Sequence, residues 1–327
     1  MERWARELSA RLPALRPGAY VVARPPAALS HRAGHAWEQL VLPAIALRRR
    51  APLLLCPANL APVVSANAVV VIHDAAALRT PAWYSRVYAA WQARVLPAVA
   101  RRAVHVVTVS EFSRVELVEL TGVPGERVSV IPGGVGERFS PDADAAAARR
   151  ALGLERPYVL CVASATARKN LRALVPLARD LRAAGTDVVV AGGTRPQFAS
   201  ETGLDALRRL GHVDDALLPG LYAGAHATVV PSLHEGFGLT AIESMACGTP
   251  VVAARAGALP ETCGDAAVLA EPEPEAFAEA VRMLLSDDAL RARLRAAGLE
   301  RAARFTWART AEAIDALLSD EAARRSA

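Results

Sequence analysis

The sequence predicts an α/β protein of two parallel-sheet domains. Apolar runs of strand length alternate with helix-length segments through the first half. A stretch at Phe139-Ser140-Pro141-Asp142 interrupts that alternation, and the same pattern then restarts. With 327 residues, 53% hydrophobic and 22% charged, the chain is long enough for two ordinary cores and too apolar for disorder. The expected division is residues 1–150 and 151–327, each half a Rossmann-like domain, the two facing a cleft.

In chain order, residues 2–12 read as a helix and residues 19–23, 52–56, 68–72, 104–109 and 128–131 as strands, because each of these five is a short apolar run bounded by turn or helix signals. Between them, residues 36–47, 81–102 and 113–121 read as helices, with Ser110 or Ser113 placed to cap the last. Beyond the linker and an Ala/Arg-rich helix, strands are expected at 158–162, 187–191, 227–230 and 250–253. Open α/β sheets take ligands beyond the carboxyl ends of their strands, so the loops there are where chemistry is sought. No Gly-x-Gly-x-x-Gly follows any of these strands, which argues against a nicotinamide or flavin enzyme.

Cysteine and charge narrow the setting. Cys56, Cys161, Cys247 and Cys263 form no CxxC pair and no zinc-site spacing, as expected of buried thiols in a reducing compartment. No run approaches the roughly 18 apolar residues of a spanning helix, and Met1-Glu2-Arg3-Trp4 does not open a signal peptide, so a cytoplasmic protein is expected. Residues 1–150 carry 19 Arg against 11 acids, whereas residues 151–327 carry 19 basic residues against 22 acids, so the halves face different partners. Lys169 is the only lysine among 38 basic residues, and a compact ammonium is not interchangeable with a guanidinium fork.

Three clusters sit at expected strand ends. Glu235-Gly236-Phe237-Gly238-Leu239-Thr240-Ala241-Ile242-Glu243 leads from the strand at 227–230 into a helix. Its glycines let a ligand approach the backbone, the free N–H groups at the helix start favour a phosphate, and a carboxylate on either side can accept from sugar hydroxyls. Arg168-Lys169-Asn170 follows the strand at 158–162, and two adjacent cations there suit a diphosphate leaving group. His73-Asp74 ends the strand at 68–72. Asp142-Ala143-Asp144 mimics a metal-binding DxD, but its place before an Ala-rich helix reads as helix-start acids.

These stretches, together with residues 108–113, Val130-Ile131-Pro132-Gly133-Gly134-Val135, Leu221-Tyr222, residues 231–250 and Leu259-Pro260-Glu261, resemble the retaining nucleotide-sugar glycosyltransferases of the GT-B fold. Within them the resemblance is to glycosyltransferase family 4 and its bacterial mannosyltransferase-like branch, over residues 65–310. It implies that Arg168 and Lys169 hold the donor diphosphate, and that Glu243 holds the ribose hydroxyls. Glu235, with Gly236, Phe237, Gly238 and Leu239, takes the donor sugar and phosphate, and His73 lies near the reacting carbon. It also implies transfer with retention and without a metal, from a nucleotide diphosphate-sugar to a glycan, lipid-linked or small-molecule acceptor. A non-catalytic partner subunit and a GT-B sugar epimerase are the alternatives with the same architecture.

The chain departs from the family pattern in three places. Gly133 and Gly136 stand where Asn and Asp are usual, and Ala163 where Gly is common. The family also opens with a strand and a Gly-rich loop ahead of the helix matched by residues 2–12. Either the coding start lies further upstream, or this variant lacks that strand of the first domain. Trp83, Tyr84, Tyr88 and Trp91 alternate with Arg86, Arg94, Arg101 and Arg102, a mixture that suits peripheral contact with anionic lipid. No nucleic-acid-binding motif accompanies the basic charge, so no nucleic-acid partner is expected.

Overall fold

The computed structural model describes residues 2–26, 31–193 and 201–326. They form two compact units. The first opens with helices α1 (Glu2–Leu15) and α2 (His31–Arg48), then alternates β1 (Leu54–Cys56), β2 (Ala68–Val71), α3 (Ala76–Arg79), α4 (Arg86–Arg102), β3 (His105–Thr108), α5 (Glu111–Thr121) and β4 (Val128–Val130). The four strands pair in parallel in the order β1-β2-β3-β4. Val69, Val70 and Val71 are wholly buried, as the near-continuous apolar run of a parallel sheet covered on both faces requires. Among the described residues no strand precedes α1.

The second unit follows with α6 (Ala145–Ala151), β5 (Tyr158–Val162), α7 (Val175–Ala183), β6 (Asp187–Ala191), β7 (Arg208–Gly211), α8 (Leu218–Ala223), β8 (Ala227–Val230), α9 (Leu239–Ala246), β9 (Val251–Ala254), α10 (Leu259–Cys263), β10 (Ala267–Ala270), α11 (Pro274–Ser286) and α12 (Asp288–Ala302). Its six parallel strands run β10-β9-β8-β5-β6-β7. The order therefore reverses between β5 and β8, which are hydrogen-bonded neighbours.

Three expectations change on the structure. Residues 19–23 form no strand, because Val21 and Val22 stay exposed and join no ladder; Tyr20 instead ties the segment down by donating its hydroxyl to Asp315. The helix expected over 81–102 is broken: Pro81–Trp83 is a 3-10 turn, Tyr84 is extended, and α4 starts only at Arg86. The compact units also divide at Gly134/Val135 instead of 150/151, with Thr80–Tyr88 grouped in the second unit. The last helix, α13 (Trp307–Ser326), returns to the first unit, where Asp315 accepts from Arg16 Nη2 at 2.7 Å and Trp307 packs edge-on against Trp4. Other readings hold in detail. Ser110 caps α5 by accepting from Ser113 N, and Asp144 caps α6 by accepting from Ala147 N at 2.8 Å. All four cysteines are buried and free.

The return of α13 places a buried imidazole against a buried acid. His105 Nδ1 lies 3.3 Å from Glu321 Oε1, and its Nε2 lies 2.8 Å from Ser129 Oγ. Burial lowers the His105 pKa, and Arg324 and Arg127 act in the same direction, against the attraction of Glu321. The folded form therefore holds a neutral ring that protonates more readily once the chain unfolds. Below the ordinary histidine value of 6.5 the unfolded state binds the extra proton, so stability falls as pH is lowered from there. Melting temperatures measured from pH 8 to pH 5 are expected to decline below about 6.5, and less steeply in a His105→Gln variant. A flat profile in the unmodified protein would contradict this.

Candidate active site

The loops after β5 and β8 lie at the carboxyl ends of the two strands that flank the reversal in strand order, where open α/β sheets bind ligands. After β5, Ala167–Lys169 makes a 3-10 turn that ends at Asn170, in left-handed conformation with φ 52°. Asn tolerates that conformation, and its Nδ2 donates to Pro272 O at 3.1 Å, which fixes the turn that presents Arg168 and Lys169. After β8, Leu233 N donates to Arg168 O at 2.9 Å and pins one loop to the other.

On that frame three charged side chains meet. Lys169 Nζ donates to Glu235 Oε1. Arg168 Nη1 lies 3.4 Å from Glu235 Oε2 and donates to His234 O at 2.6 Å. All three side chains are nearly buried. Burial alone would raise the Glu235 pKa, but Lys169 and Arg168 outweigh it and hold the carboxyl down to about 2. Glu235 is therefore an anion at any physiological pH. Its backbone is fixed as well: Ala258 N donates to Glu235 O at 2.9 Å, and a Cβ on Gly257, whose φ is +58°, would lie 2.6 Å from Glu235 N. Two cations share one carboxylate, so the cluster carries a net positive charge that an incoming diphosphate could neutralise further.

The remaining motif residues run from this cluster into α9. Gly238 precedes the helix with φ +94°, a left-handed conformation that favours glycine, and a Cβ there would lie 2.7 Å from Leu259 Cδ2, which would have to shift. Gly236 and Leu239 bracket Phe237, whose ring packs edge-on against Phe305 at 5.2 Å. Glu243 does not join the ion cluster. It lies one helix turn inside α9, 2% exposed, and its Oε2 accepts from the Tyr222 hydroxyl at 3.1 Å.

In the first unit, His73 follows β2, and Asp74 Oδ1 accepts at 3.1 Å from the N–H of Ala76, which opens α3. Asn59 Oδ1 accepts from His73 N at 2.8 Å, and the His73 ring packs edge-on against Trp4 at 5.3 Å. Its Nε2 lies 3.1 Å from Pro57 O. A carbonyl can only accept, so Nε2 carries the proton and Nδ1 keeps its lone pair. Burial lowers the pKa to about 3, so this ring is neutral at pH 7. Trp4 also explains Gly133: a Cβ at that position would sit 3.0 Å from Trp4 Nε1. The room a larger side chain would need is taken by an indole contributed from α1. Sequence reading did not find Trp4, Asn59 or Gly257, whose contacts lie far away along the chain; the only local hint was the left-handed preference of Asn and Gly.

Residues 143–301 match the family described as Glycosyl transferases group 1, and residues 10–139 match the one described as Glycosyltransferase Family 4. O-antigen chain mannosyltransferase B of Escherichia coli is 30% identical over 263 residues, which cover 74% of this chain and 67% of that protein. This chain belongs to the family 4 glycosyltransferases. D-inositol 3-phosphate glycosyltransferase of Acidothermus cellulolyticus is 35% identical over 232 residues, covering 64% of this chain and 52% of that one, so the family 4 chain described here spans about half the length of that relative. Among solved structures, WaaG, a glycosyltransferase involved in lipopolysaccharide biosynthesis, superposes with a TM-score of 0.73 over 97% of this chain and 95% of its own, at 15% identity. That likeness is one of fold, and the fold is the GT-B architecture expected from the sequence.

Proposed function

We propose that this family 4 chain transfers a sugar, with retention and without a metal ion, from a nucleotide diphosphate-sugar to a glycan, lipid-linked or small-molecule acceptor. The observation that carries the proposal is the Arg168–Lys169–Glu235 cluster at the switch point of the second sheet. Breaking the bond between the anomeric carbon and its phosphate oxygen leaves negative charge on the diphosphate. Two preplaced cations and the N–H groups that open α9 stabilise that charge as it develops. In this reading the diphosphate takes over the cations and Glu235 turns to the sugar hydroxyls. The acceptor oxygen bonds the anomeric carbon from the face the diphosphate leaves, and its proton passes to the departing phosphate oxygen. Glu243 serves the ribose, and His73, neutral at pH 7, can take part only as a polar, uncharged group.

The same cluster supports the metal-independent reading, in which Arg168 and Lys169 supply the charge that a divalent ion would otherwise provide. The test is thermal stabilisation by UDP, GDP, dTDP and ADP, each with and without EDTA. One nucleotide is expected to raise the melting temperature, undiminished by EDTA, because a ligand that binds only the folded state stabilises it by mass action. A shift abolished by EDTA would reject metal independence. Binding with no transfer to any acceptor and no change of the sugar would favour the partner-subunit reading, and epimerised sugar without acceptor would favour the epimerase.

Peripheral membrane contact is part of the proposal, but on a different face from the one the sequence suggested. Trp83, Tyr84, Tyr88 and Trp91 are all half-buried, Tyr84 and Tyr88 stacking at 5.5 Å. Among the exposed apolar residues of the first unit, Leu40, Leu47, Val63 and Val64 lie beside the exposed Arg48, Arg49 and Arg50 at the end of α2. Gln39 holds the two stretches together through Ala61 O and Val63 N. Apolar side chains bordered by arginines suit an anionic lipid surface. Among the described residues no helix is long and apolar enough to cross a membrane.

A further inference from the structure

The segment Thr80–Tyr88 is grouped with the second unit, although the chain on either side of it belongs to the first. It is short and held at its origin: Arg79, the residue before it, pairs with Glu116 and takes Glu119 with both terminal nitrogens. From there the turn Pro81–Trp83 projects a large aromatic side chain. Trp83 is half-buried and its ring centroid lies 6.2 Å from that of His234, the planes crossing at 66° in an edge-to-face pair. His234 is 4% exposed, its carbonyl accepts from Arg168, and the next residue is Glu235.

From this contact we propose that Trp83 is a positioning residue of the donor site, which acts through His234 to fix the Glu235 carboxylate and so sets recognition of the donor sugar. This rests on the reading of Glu235 as the group that receives the sugar hydroxyls. Three physical points carry it. An edge-to-face pair constrains ring orientation as well as separation. The constrained ring belongs to the residue directly before Glu235, so a rotation of the His234 backbone would swing the carboxylate. The opposite side of the same loop is already fixed, by the Ala258 N–H on Glu235 O and the close approach of Gly257. Lys169, by contrast, is held by its own 3-10 turn on the β5 side. Losing Trp83 should therefore disturb the sugar end of the donor more than the diphosphate end.

The experiment compares dissociation constants for UDP and UDP-glucose, and for GDP and GDP-mannose, in the unmodified protein, Trp83→Leu, Trp83→Phe and Glu235→Gln. The pair showing the tighter binding is used. Trp83→Leu is expected to weaken the nucleotide-sugar relative to the bare nucleotide by about threefold to tenfold, the range that an aromatic pair contributes. Trp83→Phe, which keeps a ring edge for His234, is expected to restore most of that ratio. A purely structural Trp83 would lower the melting temperature and leave the ratio unchanged. An unchanged ratio in Trp83→Leu, or an equal weakening of nucleotide and nucleotide-sugar, would overturn the inference if Glu235→Gln does change the ratio. If Glu235→Gln leaves the ratio unchanged, the sugar-binding role of Glu235 itself fails and the inference falls with it. Should Trp83→Leu not fold, the Trp83→Phe ratio is read against Trp83→His, in which the smaller ring must also weaken sugar recognition for the inference to stand.

Discussion

A Lys169→Ala variant is expected to lose about 100- to 1,000-fold in kcat/KM, the range seen when one preplaced charge-stabilising group is removed from a site where charge develops. The expectation rests on how the charge is divided. Arg168 spends one terminal nitrogen on the His234 carbonyl and stands 3.4 Å from Glu235, whereas the Lys169 ammonium contacts Glu235 directly and has no backbone carbonyl competing for it among the hydrogen bonds described. Once a diphosphate displaces Glu235, the compact ammonium is the group freest to follow the leaving oxygen. Lys169→Arg is expected to recover only part of the loss, because a broad planar fork cannot occupy the position of a compact ammonium. Steady-state rates at varied donor concentration provide the check. A Lys169→Ala enzyme within fivefold of the parent would mean that Arg168 and the α9 terminus carry the charge without it.

Glu235→Gln should move stability and nucleotide binding in opposite directions. Glu235 is an anion beside two cations that are themselves 13% exposed. Removing its charge leaves both cations without a buried counter-charge, and breaking such a pair costs about 3–5 kcal/mol, a fall in melting temperature on the order of 10 °C. A nucleoside diphosphate supplies new negative charge, so it is expected to restore more stability to the variant than it adds to the parent. Acid distinguishes the two proteins as well. The folded pKa of Glu235 lies below its ordinary value of 4.5, so the stability it contributes is complete above pH 4.5 and is lost as pH falls toward about 2. That loss is absent from Glu235→Gln. Equal melting temperatures of parent and variant at pH 7 would show that the cluster is not under electrostatic load.

Much of the fold was legible because parallel strands buried on both faces are short apolar runs, and β2, β5, β6 and β8 are of that kind. The same rule misread residues 19–23, where apolar residues follow one another without a neighbouring strand to bond. It passed over β7, whose Arg208-Arg209-Leu210-Gly211 owes its strand to backbone pairing with β6 at the sheet edge rather than to apolar character. The site was legible where one short stretch holds both chemistry and geometry, as in Arg168-Lys169-Asn170 and the glycine-spaced run from Glu235 to Glu243. It was not legible where the partner comes from another part of the chain: Trp83 reads locally as one aromatic of a basic helix, and Trp4 as the buried face of α1. Nothing local to Leu221-Tyr222 reveals that the Tyr222 hydroxyl turns inward to donate to Glu243.

The return of α13 bears on how the protein is made. The chain leaves the first unit at Gly134 and comes back at Trp307, and the residues that hold α13 in place, Arg16, Trp4 and His105, are all translated before the main body of the second unit, which starts at Val135. A ribosome therefore releases a first sheet whose α13-facing side is still bare, then a second unit whose main body, residues 135–306, is contiguous and can close on its own. Only afterwards does the final helix reach its place. During synthesis the N-terminal half waits for the C-terminal end, and a gene cut at the linker would yield a first domain with an exposed apolar surface.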